Sequence, residues 1–190
     1  MSSSRADPFI SEFMAANSRT LADVDGKFPD WIEVHNPDGA AVSLGGWYLT
    51  DDAKDLKKWQ FPEVSLPAGG YLVVFASDRN RRDPRDELHT NFELDAGGGY
   101  LALVRPDGTA VASPHGAKYP AQHDDISYGV TQTLPAGETA AVGYFRVPTP
   151  GARNGGTDAL MLPEVVAISR PSGPFSGTLT VTLTGAGDGQ

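Results

Sequence analysis

The sequence predicts an all-β fold, an antiparallel β-sandwich, and three observations carry that prediction. Glycine and proline are in excess, turn signals recur at short intervals, and apolar runs of strand length fill the gaps between them. The 190 residues include 22 glycines and 15 prolines, against roughly 23 expected for the two together at average usage. Each interior Gly or Pro costs a helix about 1 to 3 kcal/mol, so a long-helix bundle is excluded. Turn signals such as Asp25-Gly26, Asn36-Pro37-Asp38-Gly39, Pro67-Ala68-Gly69-Gly70, Gly97-Gly98-Gly99, Pro106-Asp107-Gly108 and Pro135-Ala136-Gly137 set the rhythm of a sandwich or barrel.

The elements follow in order. Runs with β character are Phe9–Phe13, Trp31–His35, Gly46–Thr50, Tyr71–Ala76, Tyr100–Val104, Thr109–Ser113, Ser127–Val130 and Tyr144–Val147. In Trp31–His35, Ile32 and Val34 share one face and Trp31, Glu33 and His35 the other. Tyr71–Ala76 is apolar throughout and reads as a strand covered on both faces. Residues 11–24 lack Gly and Pro, but their irregular apolar spacing favours strand then loop over helix. The expected core is Ile32, Val34, Trp47, Leu49, Leu72, Val74, Leu101 and Leu103. Residues 1–8 read as a flexible leader, 9–154 as the sandwich and 155–162 as a linker. Residues 163–190 read as the truncated start of a second β-sandwich. There, Val165–Ile168 precedes Thr178–Thr184, in which Leu179, Val181 and Leu183 alternate with threonines. Two strands cannot close a sandwich, so this segment is expected to pair with an edge of the main domain or with a second copy of the chain, giving a homo-oligomer.

Charge narrows the functional classes. Fifteen basic and 24 acidic residues give −9, which disfavours nucleic acid as a partner. No apolar run reaches the length of a membrane helix. The absence of cysteine excludes disulfides and thiolate chemistry and leaves the compartment open. The catalytic motifs of serine hydrolases, zinc proteases and nucleotide-binding folds are missing, and the four histidines do not stand at metal-ligand spacing, so each reads as a surface or hydrogen-bonded residue.

Two clusters merit weighing. Asp23, Asp25, Asp30 and Glu33 surround a Gly turn and supply the oxygen ligands a Ca²⁺ ion takes; the same residues suit plain turn chemistry. The pairs Asp51-Asp52 and Asp124-Asp125 are weaker candidates of the same kind. Arg79, Arg81, Arg82 and Arg85 form a basic patch suited to anions. Acidic neighbours at Asp78, Asp83, Asp86 and Glu87 suit a solvated, salt-bridged loop instead.

Residues of about 9–154 resemble the bacterial lamin-tail domain, an immunoglobulin-like sandwich. The segments that carry the resemblance are Ile10–Asn17, Asp25–Asn36, Leu44–Asp51, Trp59–Pro62, Leu66–Ala76, Leu88–Leu94, Ser127–Gly129 and Pro148–Asn154. The resemblance implies a non-catalytic interaction or scaffold module of a larger bacterial extracellular or envelope protein. Its partners would be other domains of that parent, or a protein or polysaccharide ligand. It defines no catalytic residue. The alternative is a calcium-stabilised accessory domain of a secreted hydrolase. Residues 163–190 are similar to the start of the β-sandwich that ends chitobiases.

Overall fold

The computed structural model describes residues 6–110, 117–132 and 140–155, and the backbone of three short strands at 159–160, 167–168 and 183–184. No helix occurs among the described residues. The chain forms an immunoglobulin-like, all-β sandwich. Its strands are β1 (Phe9–Met14), β2 (Asp30–His35), β3 (Val42–Ser43), β4 (Tyr48–Thr50), β5 (Trp59–Gln60), β6 (Ser65–Leu66), β7 (Tyr71–Ala76) and β8 (Leu88–His89). They continue with β9 (Gly99–Tyr100), β10 (Ala102–Val104), β11 (Lys118–Tyr119), β12 (Ser127–Val130), β13 (Val142–Phe145), β14 (Ala159–Leu160), β15 (Ala167–Ile168) and β16 (Leu183–Thr184).

One large sheet has the order β14-β13-β12-β1-β2-β7-β8. It is antiparallel except where β8 runs parallel to β7. Smaller sheets comprise β10-β4-β5, β11-β9 and β3-β6. The principal core gathers Ile10, Phe13, Ile32, Val34, Leu49, Trp59, Leu101 and Leu103, with Trp47 and Val74. Seven of the eight expected core residues are buried; Leu72 is only partly so. It belongs to the first half of β7, and β8 covers only Val74 and Phe75. The expectation that all of β7 is covered on both faces therefore holds for its second half alone.

The alternation in β2 is as expected, and its second face is packed as well. Trp31 is fully buried in a second cluster with Met14 and Phe75. Strand β1 carries the device that makes two packed faces compatible. Ile10 pairs with Val34 and Phe13 with Ile32, while the register shifts between Ile10 and Glu12. This bulge at Ser11 lets residues three apart share the core face and turns Glu12 toward Glu33 on the other.

Three expectations about segment boundaries need amendment. Within the expected leader, Pro8 is buried and Asp7 pairs with Arg105, so the ordered domain starts earlier. Ala159 and Leu160, expected in the linker, pair with β13 opposite Phe145 and Tyr144. Tyr100–Val104 is broken into β9 and β10 at Leu101, whose N–H donates to the carbonyl of Ala117.

Residues 161–190 form a separate compact unit. Within it Ala167 pairs with Thr184 and Ile168 with Leu183, so the two expected strands find each other. Residues 178–182 of the expected second strand, like most of this unit, lie outside the described residues, as do 111–113 of the expected Thr109–Ser113 run.

Candidate functional site

The most concentrated chemistry lies on the outer face of the large sheet, where β1 and β2 bring two glutamates together. Glu12 and Glu33 are cross-strand partners and both are fully buried. Carboxylates in that position need donors or protons. The donors come from Ser11, Ser127 and a closing segment, residues 148–154. Glu12 accepts from the Ser127 hydroxyl, from the Thr149 N–H at 3.1 and 3.2 Å and from the Thr149 hydroxyl at 3.1 Å. Glu33 accepts from the Ser11 hydroxyl at 2.5 Å and from the Gly151 N–H at 2.6 Å. Gly151 has φ 82°, the left-handed geometry that glycine adopts without strain.

Asn154 fastens the segment. It donates to the carbonyls of Ser11 and Val130, both at 3.0 Å, and its Oδ1, 2.9 Å from the Thr149 hydroxyl, shares that single proton with Glu12. This lock requires close approach of β12. A Cβ on Gly129 would lie 2.3 Å from the Ser11 carbonyl oxygen and 2.9 Å from the Glu12 Cα. Burial raises the Glu12 carboxyl above its ordinary range, partly offset by Ser127 and Thr149. Burial pushes Glu33 up to about 7, against the Ser11 and Gly151 bonds and with help from the Glu12 charge. Of the two, Glu33 is the one that burial and the Glu12 charge lift into the neutral range, although Ser11, Gly151 and Ala152 all donate to it. No open cleft separates the pair, and the geometry is that of a structural seal.

The four acidic residues weighed for calcium are divided among three environments. Asp23 is buried; its Oδ1 accepts from the N–H groups of Asp25 and Lys27, and its Oδ2 binds Arg79 at 2.8 Å. Burial would raise its carboxyl, but these partners outweigh it and hold it below the usual range. Asp25 is exposed and binds Arg79 at 2.7 Å and Arg81 at 2.5 Å. Asp30 sits at the end of β2 and accepts from the Leu94 N–H at 3.2 Å; burial lifts it to about 6. Glu33 belongs to the sealed pair. Among the described residues no group of three His, Cys, Asp or Glu is placed to hold a metal ion. These four do not converge: the strand period sends Asp30 and Glu33 to opposite faces of β2, while Asp23 and Asp25 bind the arginines.

The arginine patch is likewise partitioned. Arg79 and Arg81 are occupied by Asp23 and Asp25, and Arg85 binds Asp83. Among the described residues Arg82 alone of the four has no carboxylate partner. The patch ties the 17–29 loop to the 77–87 loop, helped by the Val24 N–H donating to Glu87 at 2.7 Å. Asp124-Asp125 resolves similarly: Asp125 accepts from Ser18, Arg19 and Thr20, which holds its carboxyl far below the ordinary range.

Two arrangements escape the sequence. Ser77 and His89 are hydrogen-bonded at 2.8 Å through Nδ1, the contact of a nucleophile and its base. The His89 ring is fully buried and stacked on Phe75, so no substrate reaches it, and it braces the loop together with Asn91, which donates to the Lys58 carbonyl. The second is an open cleft of about 630 Å³ lined by Phe9, His35, Tyr71, Val130, Gln132 and Arg153 among others. Phe9, His35 and Tyr71 stand opposite one another on β1, β2 and β7, outward-facing and therefore in one row. His35 and Tyr71 stack at 4.3 Å, and Phe9 meets His35 edge-on at 5.5 Å.

No curated protein matches the chain. The family model for the Lamin Tail Domain matches residues 1–118, which include β1 and β2 with both buried glutamates and the row of three rings; β12, β13 and the closing segment lie beyond the match. With more than half of its length matched and an immunoglobulin-like sandwich built on the matched strands, the chain belongs to the Lamin Tail Domain family.

Proposed function

We propose that this domain is a non-catalytic interaction and scaffold module of a larger bacterial protein that works outside the cell or in its envelope. One observation carries the reading: among the described residues, the main clusters of ionisable side chains are consumed in holding the domain together. Glu12 and Glu33 are sealed under residues 148–154, His89 is buried against Phe75, and Arg79 and Arg81 are neutralised by Asp23 and Asp25. What remains accessible is shape, an aromatic cleft and a scatter of surface charge. Membership of the Lamin Tail Domain family supports a module of this kind, and family context supports the extracellular or envelope setting. Fold alone does not fix function, so the test is direct. The intact chain is immobilised and exposed to envelope polysaccharide and secreted protein from the organism that carries it. It is also offered nuclease, glycosidase and esterase substrates. Saturable binding without turnover is expected; turnover abolished by a point substitution in this chain would overturn the proposal.

A further inference from the structure

We infer that the cleft over Phe9, His35 and Tyr71 is a binding site for an acidic saccharide, a sugar chain carrying uronate carboxylates. The inference rests on the interaction-module reading and names its ligand class.

The floor is a row of three rings. Phe9, His35 and Tyr71 stand side by side from three adjacent strands, His35 stacked on Tyr71 and Phe9 set edge-on to His35, in a cleft whose volume falls in the range of small-ligand sites. Such a ridge of ring edges takes apolar C–H groups, either of an aromatic ring or of a pyranose.

The polar groups around the floor decide between these. Arg153 is exposed and directs Nε (3.0 Å) and Nη2 to a single acceptor, the Gln132 carbonyl. Its Nη1, with two N–H bonds, is left over, and among the described residues no carboxylate pairs with it. Arg82 shares this lack of an acid, but Arg153 is the arginine that lines this cleft. None of the described residues lining the cleft is acidic. Glu33, two residues inward on the same face of β2, is occupied by Ser11 and Gly151. The cleft therefore selects for an anion, and the planar guanidinium favours a carboxylate.

His35 supplies the complementary group. Its Nδ1 lies 3.1 Å from the Gly70 carbonyl, which can only accept, so the proton is on Nδ1. Burial, with Arg153 adding to it, lowers the basicity of the ring, which leaves Nε2 with a lone pair. The site thus offers a donor at Arg153, an acceptor at His35 and a ring floor between them. Tyr71 is held upright by donating to Gln132 Oε1 at 3.0 Å. That oxygen also accepts from the Asn154 N–H, so the wall of the cleft is pinned to the closing segment. A phenyl carboxylate would satisfy the rings and Arg153 but brings no donor for His35. A uronate brings a carboxylate, hydroxyl donors and an apolar face together.

The test uses the intact chain at pH 7, with amide chemical shifts and calorimetry as readouts. The probes are a galacturonate trisaccharide, the corresponding neutral galactose trisaccharide and 3-phenylpropionate. The acidic sugar is expected to bind saturably with shifts concentrated at Phe9, His35, Tyr71, Gln132 and Arg153, and the neutral sugar about tenfold more weakly. Arg153→Gln should weaken the acidic sugar by about tenfold and leave the neutral one unchanged. His35→Phe, which keeps a ring in the stack and removes the acceptor, should weaken both sugars. Melting curves on each variant establish that it remains folded. Absence of saturable shifts in the cleft, equal or tighter binding of 3-phenylpropionate, or indifference to Arg153→Gln would overturn the inference. If the chain binds envelope material but no galacturonate, this inference fails and the module reading stands; if it binds no envelope material, the module reading fails.

Discussion

The buried pair of glutamates makes the stability of the domain depend on pH in a direction opposite to that of salt-bridged carboxylates. The Glu33 carboxyl is pushed up to about 7 by burial, from an ordinary value of 4.5. Between those limits the folded chain holds a proton that the unfolded chain releases. The stabilisation is thus complete below about pH 4.5 and is lost as pH rises through about 7. A difference of about 2.5 pH units corresponds to about 3 kcal/mol, a large share of a typical domain stability of about 5–15 kcal/mol. Glu33→Gln removes the titration and keeps an oxygen to accept from the Gly151 N–H. Urea denaturation of both proteins from pH 4.5 to 8, followed by fluorescence of the buried Trp31 and Trp59, reads the difference between them. Asp30, lifted to about 6, contributes to both proteins and cancels, whereas Glu12, whose charge helps to raise Glu33, titrates with it, so the difference reports Glu33 together with its coupling to Glu12. The variant is expected to gain on the parent by about 3 kcal/mol across that range. A gap between the two that does not change with pH would refute the reasoning, because it would mean that Glu33 is ionised throughout.

Two further outcomes follow from the same geometry. Gly129→Ala, whose Cβ would meet the Ser11 carbonyl at 2.3 Å, should cost about 3 kcal/mol or more, read as a lower melting temperature. Millimolar Ca²⁺ should leave the melting temperature unchanged, since Asp23, Asp25, Asp30 and Glu33 do not converge; a rise that saturates with Ca²⁺ would show that the loops rearrange around the ion.

Strand periodicity made much of the sandwich legible. The alternation around Ile32 and Val34 placed two core residues and gave the correct opposite face for Trp31, Glu33 and His35. What covers the second face was not legible, because alternation shows which residues lie together and not what packs on them. Trp31 finds Met14 and Phe75 there, and Glu33 finds Glu12, partners from strands distant in sequence. The bulge at Ser11 was hidden for a related reason: an extra residue is defined only against the partner strand. The same limit governed the sites. Acidic residues close in sequence, Asp23 to Glu33, are parted by the turn and the strand period. Glu12, Ser127 and Thr149 carry no common motif, and only the sheet order brings them together. The aromatic cleft draws one ring from each of three strands. Only the cross-strand register puts Phe9, His35 and Tyr71 in a row.

The clasp between Asn154 and Ser11 also bears on how such a domain can be built into other proteins. Ser11 lies in the first strand and Asn154 at the close of the sandwich, yet they are joined by a direct hydrogen bond. The first strand and the backbone at residue 154, ahead of the edge strand β14, are therefore neighbours. A unit with adjoining ends can be spliced into a surface loop of a host without prising the host's own strands apart. It can also be circularly permuted: a short bridge between the regions of residues 7 and 155, with new ends opened in an exposed turn such as Pro67–Gly70, would preserve every strand pairing of the large sheet from β13 to β8.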